Sequence, residues 1–255
     1  NGGSPPVGAY NDEFLFIHMP KCAGTSIREW LKRYVPGTID FRDPECDLPI
    51  GHIPLKDIER WTGRSPVTFK KIVGIVRDPY THQLSQWLFW RDRRALRGVH
   101  PHDRVAGMHP TLPDWLCDAR CDFHVWYETQ MGSSDPNVCL KRAAAMVNRS
   151  PLHGGYYKYW LTIDGEVPDN LTVIRMEDLD QVWQSELAAF TPGECPPLPV
   201  TNPGPTPRPA RERALEHYTP LALEIVNDKF NWTFQQRWYE MLEAKQLSPF
   251  MGLGA

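Results

Sequence analysis

No apolar stretch in the chain reaches the roughly 18 to 20 residues that a membrane-spanning helix requires, so no transmembrane segment is read from it. Charge of one sign is not in excess: the formal net charge is −3, which gives no basis for a general nucleic-acid surface. Any site for an anionic ligand must therefore be a local concentration of cations. The six cysteines, at 22, 46, 117, 121, 139 and 195, permit three disulfides but form no dense framework. There is no internal repeat. A Gly-x-x-x-x-Gly-Lys-[Ser/Thr] string is also missing, which argues against a nucleotide kinase or hydrolase built on that loop.

What is present is ordinary in bulk and unusual in detail. A hydrophobic fraction of 41% with 23% charged residues suits a globular protein, and 255 residues suffice for one large domain with a full core. Proline (25) and tryptophan (10) are abundant. Prolines concentrate in Cys195-Pro-Pro-Leu-Pro-Val-Thr-Asn-Pro-Gly-Pro-Thr-Pro-Arg-Pro209, which reads as an extended connector. Residues 1–10 read as a linker or cloning remnant, 11–245 as a single domain and 246–255 as a C-terminal tail. Asn148, Asn170 and Asn231 each begin a glycosylation tripeptide, the first made a poor acceptor by Pro151. A Golgi lumen, with an anchor outside this sequence, and a microbial cytoplasm both fit the composition.

The richest segment runs from Phe14 to Leu31. An apolar run, Phe14-Leu-Phe-Ile17, leads into a turn carrying Lys21, Gly24, Thr25 and Ser26, and a helical pattern follows. Strand, anion-binding loop and helix is the order implied. Glycine lets backbone approach a ligand, and amides at a helix N-terminus point toward negative charge. Lys21 adds a cation and the two hydroxyls add donors. A second unit of the same kind follows. Lys71-Ile-Val-Gly-Ile-Val76 reads as a buried parallel strand ending at Arg77, and Asp78-Pro79 breaks it. Thr81 to Trp90 then reads as a helix with Leu84, Trp87 and Leu88 on one face. Arg77 and Ser85 supply a guanidinium and a hydroxyl suited to one terminal phosphate.

Pro20-Lys21-x-x-Gly24-Thr25-Ser26 resembles the 5'-phosphosulfate loop of sulfotransferases that use 3'-phosphoadenosine-5'-phosphosulfate (PAPS). The fuller string from Phe16 to Ser26 is closest to the carbohydrate branch, of heparan and chondroitin type, with Cys22 standing where threonine is common. Val76-Arg77-Asp78-Pro79-Tyr80 with Ser85 resembles the family's 3'-phosphate motif. Asn170-Leu-Thr-Val-Ile-Arg175 followed by Met176-Glu177-Asp178-Leu179 resembles a third landmark, an acidic turn after a core strand. The resemblance spans Phe14 to Trp232 and is loose between Arg91 and Ser150. It implies an α/β, three-layer sandwich of P-loop-like sulfotransferase type around a central, mostly parallel sheet. Expected strands are Phe14–His18, Ile72–Val76 and Leu171–Ile174.

The same resemblance implies transfer of the sulfuryl group from PAPS to an acceptor hydroxyl, with adenosine 3',5'-bisphosphate (PAP) as product and no metal. Lys21 would stabilise the leaving phosphate, while Cys22, Ala23, Gly24, Thr25 and Ser26 hold the 5'-phosphate. Arg77 and Ser85 would hold the 3'-phosphate, and Tyr156 and Arg208 line or close the nucleotide site. Tyr156 as a core aromatic and Arg208 as part of a solvated helix start, with Arg211 and Arg213, are the competing readings. A hydroxyl acceptor needs a general base, and His52, on the Gly51-His52-Ile53-Pro54 loop, is assigned that role, since imidazole titrates near neutrality. His18 and Glu29 are its rivals, and Glu177 reads as supporting structure. A saccharide is the expected acceptor; the alternative is a small hydroxylated metabolite or carrier-bound intermediate.

Elsewhere, Leu55–Trp61 reads as a short helix and Thr111–Gly132 as a helix bearing Leu112, Trp115, Leu116, Phe123, Trp126 and Tyr127. Leu140–Val147 reads as a helix, and the Gly154-Gly155 turn opens another running to Leu161. Arg211–Phe230 reads as one helix with Leu215, Tyr218, Leu221 and Ile225 inward. Outside the transferase reading stand a P-loop kinase, a non-catalytic binding protein on the same scaffold, and a metal module. The metal module would use His100, His102, His109, Cys117, Cys121 and His124.

Overall fold

The computed structural model describes residues 8–41, 52–97, 111–118, 155–198 and 211–247. These fall into two compact units, one within Asn1–Arg77 and Tyr157–Pro203, the other within Asp78–Tyr156 and Gly204–Ala255.

The first unit is α/β. Its strands are β1 (Ala9–Tyr10), β2 (Phe14–Ile17), β3 (Ile39–Asp40), β4 (Lys71–Val76) and β5 (Leu171–Arg175), in the order β3-β1-β2-β4-β5. β2, β4 and β5 are parallel, with Phe16 opposite Val73 and Gly74 opposite Val173, while β1 is antiparallel to both of its neighbours. The sheet is thus mixed, with a parallel centre. Every residue of β2 is buried, as is β4 from Ile72 to Val76, which is why both read as unbroken apolar runs. The three expected strands lie within a residue of their predicted ends. β1 moves the linker boundary back, because Ala9 and Tyr10 belong to the sheet rather than to a linker over 1–10. Asn11 makes that hairpin: its side-chain oxygen accepts from the amides of Glu13 (2.9 Å) and Phe14 (2.7 Å).

Helix α1 (Gly24–Tyr34) follows β2 and buries Ile27, Trp30 and Leu31. Trp30 packs edge-to-face on Trp183 of α6 (Leu179–Leu187) at 5.2 Å and donates to the Pro196 carbonyl. Between these lie a 3-10 turn at Leu55–Asp57, helix α2 (Ile58–Thr62), and α5 (Tyr156–Leu161), which from Tyr157 onward belongs to this unit. α5 packs on β4 where Gly74 leaves room: a Cβ there would stand 2.6 Å from Leu161 Cδ2. Arg28 forks onto Asp40 at 2.7 and 2.6 Å, tying α1 to β3. Asn170 is turned inward, its amide donating to the carbonyls of Pro66 and Phe69, so this glycosylation tripeptide is committed to packing.

The second unit is helical among the described residues: α3 (Pro79–Arg97), α4 (Leu112–Asp118), α7 (Arg211–Leu215), α8 (Pro220–Lys229) and α9 (Asn231–Gln235). α3 starts two residues before its expected Thr81, because Asp78 caps it and Pro79 suits a first helical turn. Asp78 Oδ1 accepts from the amides of Tyr80 (3.1 Å) and Thr81 (3.0 Å). The single helix expected over Arg211–Phe230 is two. Pro220 cannot continue a helix and instead starts α8, whose N-cap Thr219 accepts from the Ala222 amide at 3.1 Å. The restart shifts the inward face: Leu215, Tyr218 and Ile225 are buried, whereas Leu221 is 49% exposed. A final 3-10 turn over Ala244–Leu247 carries ordered chain two residues into the expected tail. The expected Leu140–Val147 helix and the part of Thr111–Gly132 beyond Asp118 lie outside the described residues.

Candidate functional site

The loop between β2 and α1 is the candidate site of the first unit. Its backbone turns sharply without using glycine for the turn: Lys21 (φ 62°) and Ala23 (φ 58°) both adopt left-handed conformations. Each such residue costs roughly 1–2 kcal/mol relative to a right-handed one. Backbone strain of this kind clusters where a loop is shaped to receive a ligand. Ala23 is the N-cap of α1 yet has no side-chain oxygen to give its first amides, and the first turn has no acidic residue. A helix start of this composition favours an anion.

Gly24 is required here by contact, not by torsion. It begins α1 with helical backbone, and the His18 ring lies against it, so that a Cβ would stand 1.8 Å from His18 Cδ2 and 2.0 Å from Nε2. His18 is therefore a buried packing residue at the strand end, 4% exposed. Its carbonyl is 2.9 Å from His52 Nδ1, and the two rings meet edge-to-face at 4.7 Å. A carbonyl only accepts, so Nδ1 carries the proton and Nε2 of the neutral ring keeps its lone pair. Burial lowers the His52 pKa to about 4, outweighing the hydrogen bond to His18, so the near-neutral titration expected of this imidazole does not hold in the folded protein. His52 is a neutral acceptor at physiological pH, half-buried beside Trp160 at 6.2 Å.

Arg77 follows β4 and is 4% exposed. Its Nη1 lies 3.4 Å from the Lys21 carbonyl, so the guanidinium is set against the loop itself. Tyr157 holds the backbone of Arg77. The phenol accepts from the Arg77 amide at 3.0 Å and donates to the Arg77 carbonyl at 2.9 Å. The same oxygen is 3.7 Å from Cys22 Sγ. Cys22 points into this junction and is a neutral thiol. Burial pushes its pKa up to about 12, against the opposing effects of Tyr157, Arg77 and Lys21. Any hold of Cys22 on a ligand would be through backbone, and no disulfide joins it to Cys195, since both are free.

The other assigned residues divide clearly. Lys21, Ala23 and Thr25 are partly exposed on the loop, and Ser26 is buried. Glu29 points to solvent and pairs with Arg28 at 2.6 Å. Glu177 is exposed on the turn after β5. Ser85 is half-buried on α3 of the second unit. Tyr156 is also in that unit, as a core aromatic: its ring packs on His82 (5.2 Å) and Phe230 (5.1 Å), with Lys229 over its face at 5.2 Å. The tyrosine that meets the loop is its neighbour, Tyr157, which the sequence reading passed over. Arg208 and the histidines at 100, 102, 109 and 124 lie outside the described residues, as do Cys121 and the side chain of Cys117. Among the described residues there is no helix long and apolar enough to cross a membrane and no metal-ligating cluster. An open groove of about 490 Å³ belongs to the second unit, lined by Phe234, Arg237, Tyr239 and Met241 among others; none of its residues comes from the loop.

No family model, curated protein or solved structure matches the chain.

Proposed function

We propose that the protein is a PAPS-dependent sulfotransferase of P-loop-like, three-layer type that sulfates an acceptor hydroxyl, with a saccharide as the favoured acceptor. The observation that carries the reading is the strained loop from Lys21 to Gly24, joining a buried parallel strand to a helix start with the Arg77 guanidinium set against it. That combination supports binding of a ligand with two anionic ends, one at the loop amides and Lys21 and one at Arg77, and the sequence of both motifs narrows it to a phosphosulfate nucleotide.

In the proposed reaction the acceptor oxygen attacks sulfur in line with the bridging oxygen. The new O–S bond forms as the S–O bond to the 5'-phosphate breaks, and the electron pair leaves on PAP. Lys21 stabilises that developing charge. His52 takes the acceptor proton on Nε2, an assignment supported by its neutral ring and by the ion pair that engages Glu29. Arg77 serves the 3'-phosphate, and the share of Ser85 rests on the sequence motif alone. The test is transfer of labelled sulfate from PAPS to saccharide and small-molecule acceptors by the wild type, Lys21→Ala and Arg77→Ala. Transfer by the wild type that both substitutions abolish, without unfolding, supports the reading; transfer retained in Lys21→Ala sinks it.

A further inference from the structure

We infer that Tyr157 is a positioning residue of the donor site, whose hydroxyl fixes Arg77 and the Lys21–Ala23 loop as one rigid arrangement. The inference rests on the sulfotransferase reading above.

Arg77 stands just beyond the last residue of β4, where its amide and carbonyl pass out of the ladder with β5. Buried backbone groups at such a point need partners. One phenol serves both, donating to the carbonyl and accepting from the amide. A hydroxyl has one donor and two acceptor positions, so its remaining capacity faces the Cys22 thiol, in the middle of the left-handed loop. The guanidinium then closes the circuit through the Lys21 carbonyl at 3.4 Å. Removing that oxygen releases the end of β4 and the loop together.

Helix α5 delivers the phenol from behind. Tyr157 and Trp160, three residues apart, lie on one side of it, and Trp160 backs His52 at 6.2 Å while Tyr157 backs Arg77. Leu161 fills the space over Gly74. The ring of Tyr157 is fully buried and packs as phenylalanine would, so the hydroxyl is separable from the core. Every hydrogen-bond partner named for that hydroxyl flanks the proposed nucleotide site.

The experiment is calorimetric titration of PAP into wild type, Tyr157→Phe, Arg77→Ala and the double variant. Leu187→Ala, a fully buried position of α6, serves as a purely destabilising control. Losing a buried hydroxyl that satisfies two backbone groups should weaken PAP binding about 10-fold. In the Arg77→Ala background the same change should add less than the full 10-fold, because the part of its effect carried by the Arg77 guanidinium is already lost while the part carried by the loop remains. Leu187→Ala should lower Tm with unchanged Kd. Unchanged Kd in Tyr157→Phe, or a full additive penalty in the double variant, overturns the inference while leaving the sulfotransferase reading intact. Absence of PAP binding by the wild type overturns both. Amide exchange in the wild type gives a variant-free check: Arg77 and residues 21–24 should gain protection together when PAP binds, and protection confined to 21–24 contradicts the coupling.

Discussion

A single methyl group at Gly24 probes the packing that holds the loop. Gly24 already has helical backbone, so alanine meets no torsional penalty there and would ordinarily favour the helix. The obstacle is the His18 ring, 1.8 Å from the new carbon where ordinary contact is about 3.5 to 4 Å. Neither side yields cheaply, because His18 is buried at the end of β2 and its carbonyl positions His52. Forced overpacking of this kind costs roughly 1–3 kcal/mol. For a chain of this size that is a fall in Tm of roughly 2–12 °C by scanning calorimetry. Gly24→Ala should also displace the loop and lose PAP binding by about 100-fold. The second substitution His18→Ala removes the obstructing ring, so the double variant should be more stable than the sum of the single losses predicts. An unchanged Tm in Gly24→Ala, or strictly additive losses in the pair, would refute the account of why glycine stands there.

Three further outcomes follow from the buried groups. His52→Ala should lower kcat by roughly 100- to 10,000-fold. The wild-type rate should rise with pH through about 4, where the half-buried, desolvated imidazole loses its proton, and be level above; an acid limb near 6.5, or near-normal turnover in His52→Ala at saturating acceptor, moves the base elsewhere. Burial brings the Lys229 pKa down to about 7 from 10.5, so the unfolded chain binds the extra proton between those values. Stability from this group therefore rises with pH across that window, by a few kcal/mol at most. Lys229→Met should flatten that part of the urea-unfolding profile, and an unaltered slope would show that the ammonium is solvated. Cys22, with its thiol pushed up to about 12 by burial, should resist alkylation by iodoacetamide at pH 8 until the protein is unfolded; rapid native labelling detected by mass spectrometry would contradict its placement.

The sheet was legible because its strands are buried on both faces. Phe14–Ile17 and Lys71–Val76 are apolar runs of strand length closed by punctuation, and nothing competes with that reading. β1 escaped notice because two residues beside a Gly/Pro-rich start carry no periodicity; the pairing that orders Ala9 and Tyr10 comes from Phe16 and Leu15 across the hairpin. Periodicity misled over Arg211–Phe230, where apolar spacing outvoted Pro220. At the site, Lys21, Gly24 and Arg77 declared themselves by residue type. Tyr157 did not. It differs from Tyr156 only by a rotation of one helical residue, and α5 is too short for its faces to be told apart from sequence. The contact between His18 and Gly24 was also hidden, since it depends on where the strand-end ring points across the turn.

The central claim is that the Lys21–Gly24 loop and Arg77 bind the two ends of one nucleotide. Titration of PAP into the folded protein tests it most directly. Saturable binding at one site per chain is predicted, weakened by loss of the 3'-phosphate in wild type and far less sensitive to that loss in Arg77→Ala, where only Ser85 remains for it. No binding of PAP, or binding equally sensitive to the 3'-phosphate without Arg77, would contradict it.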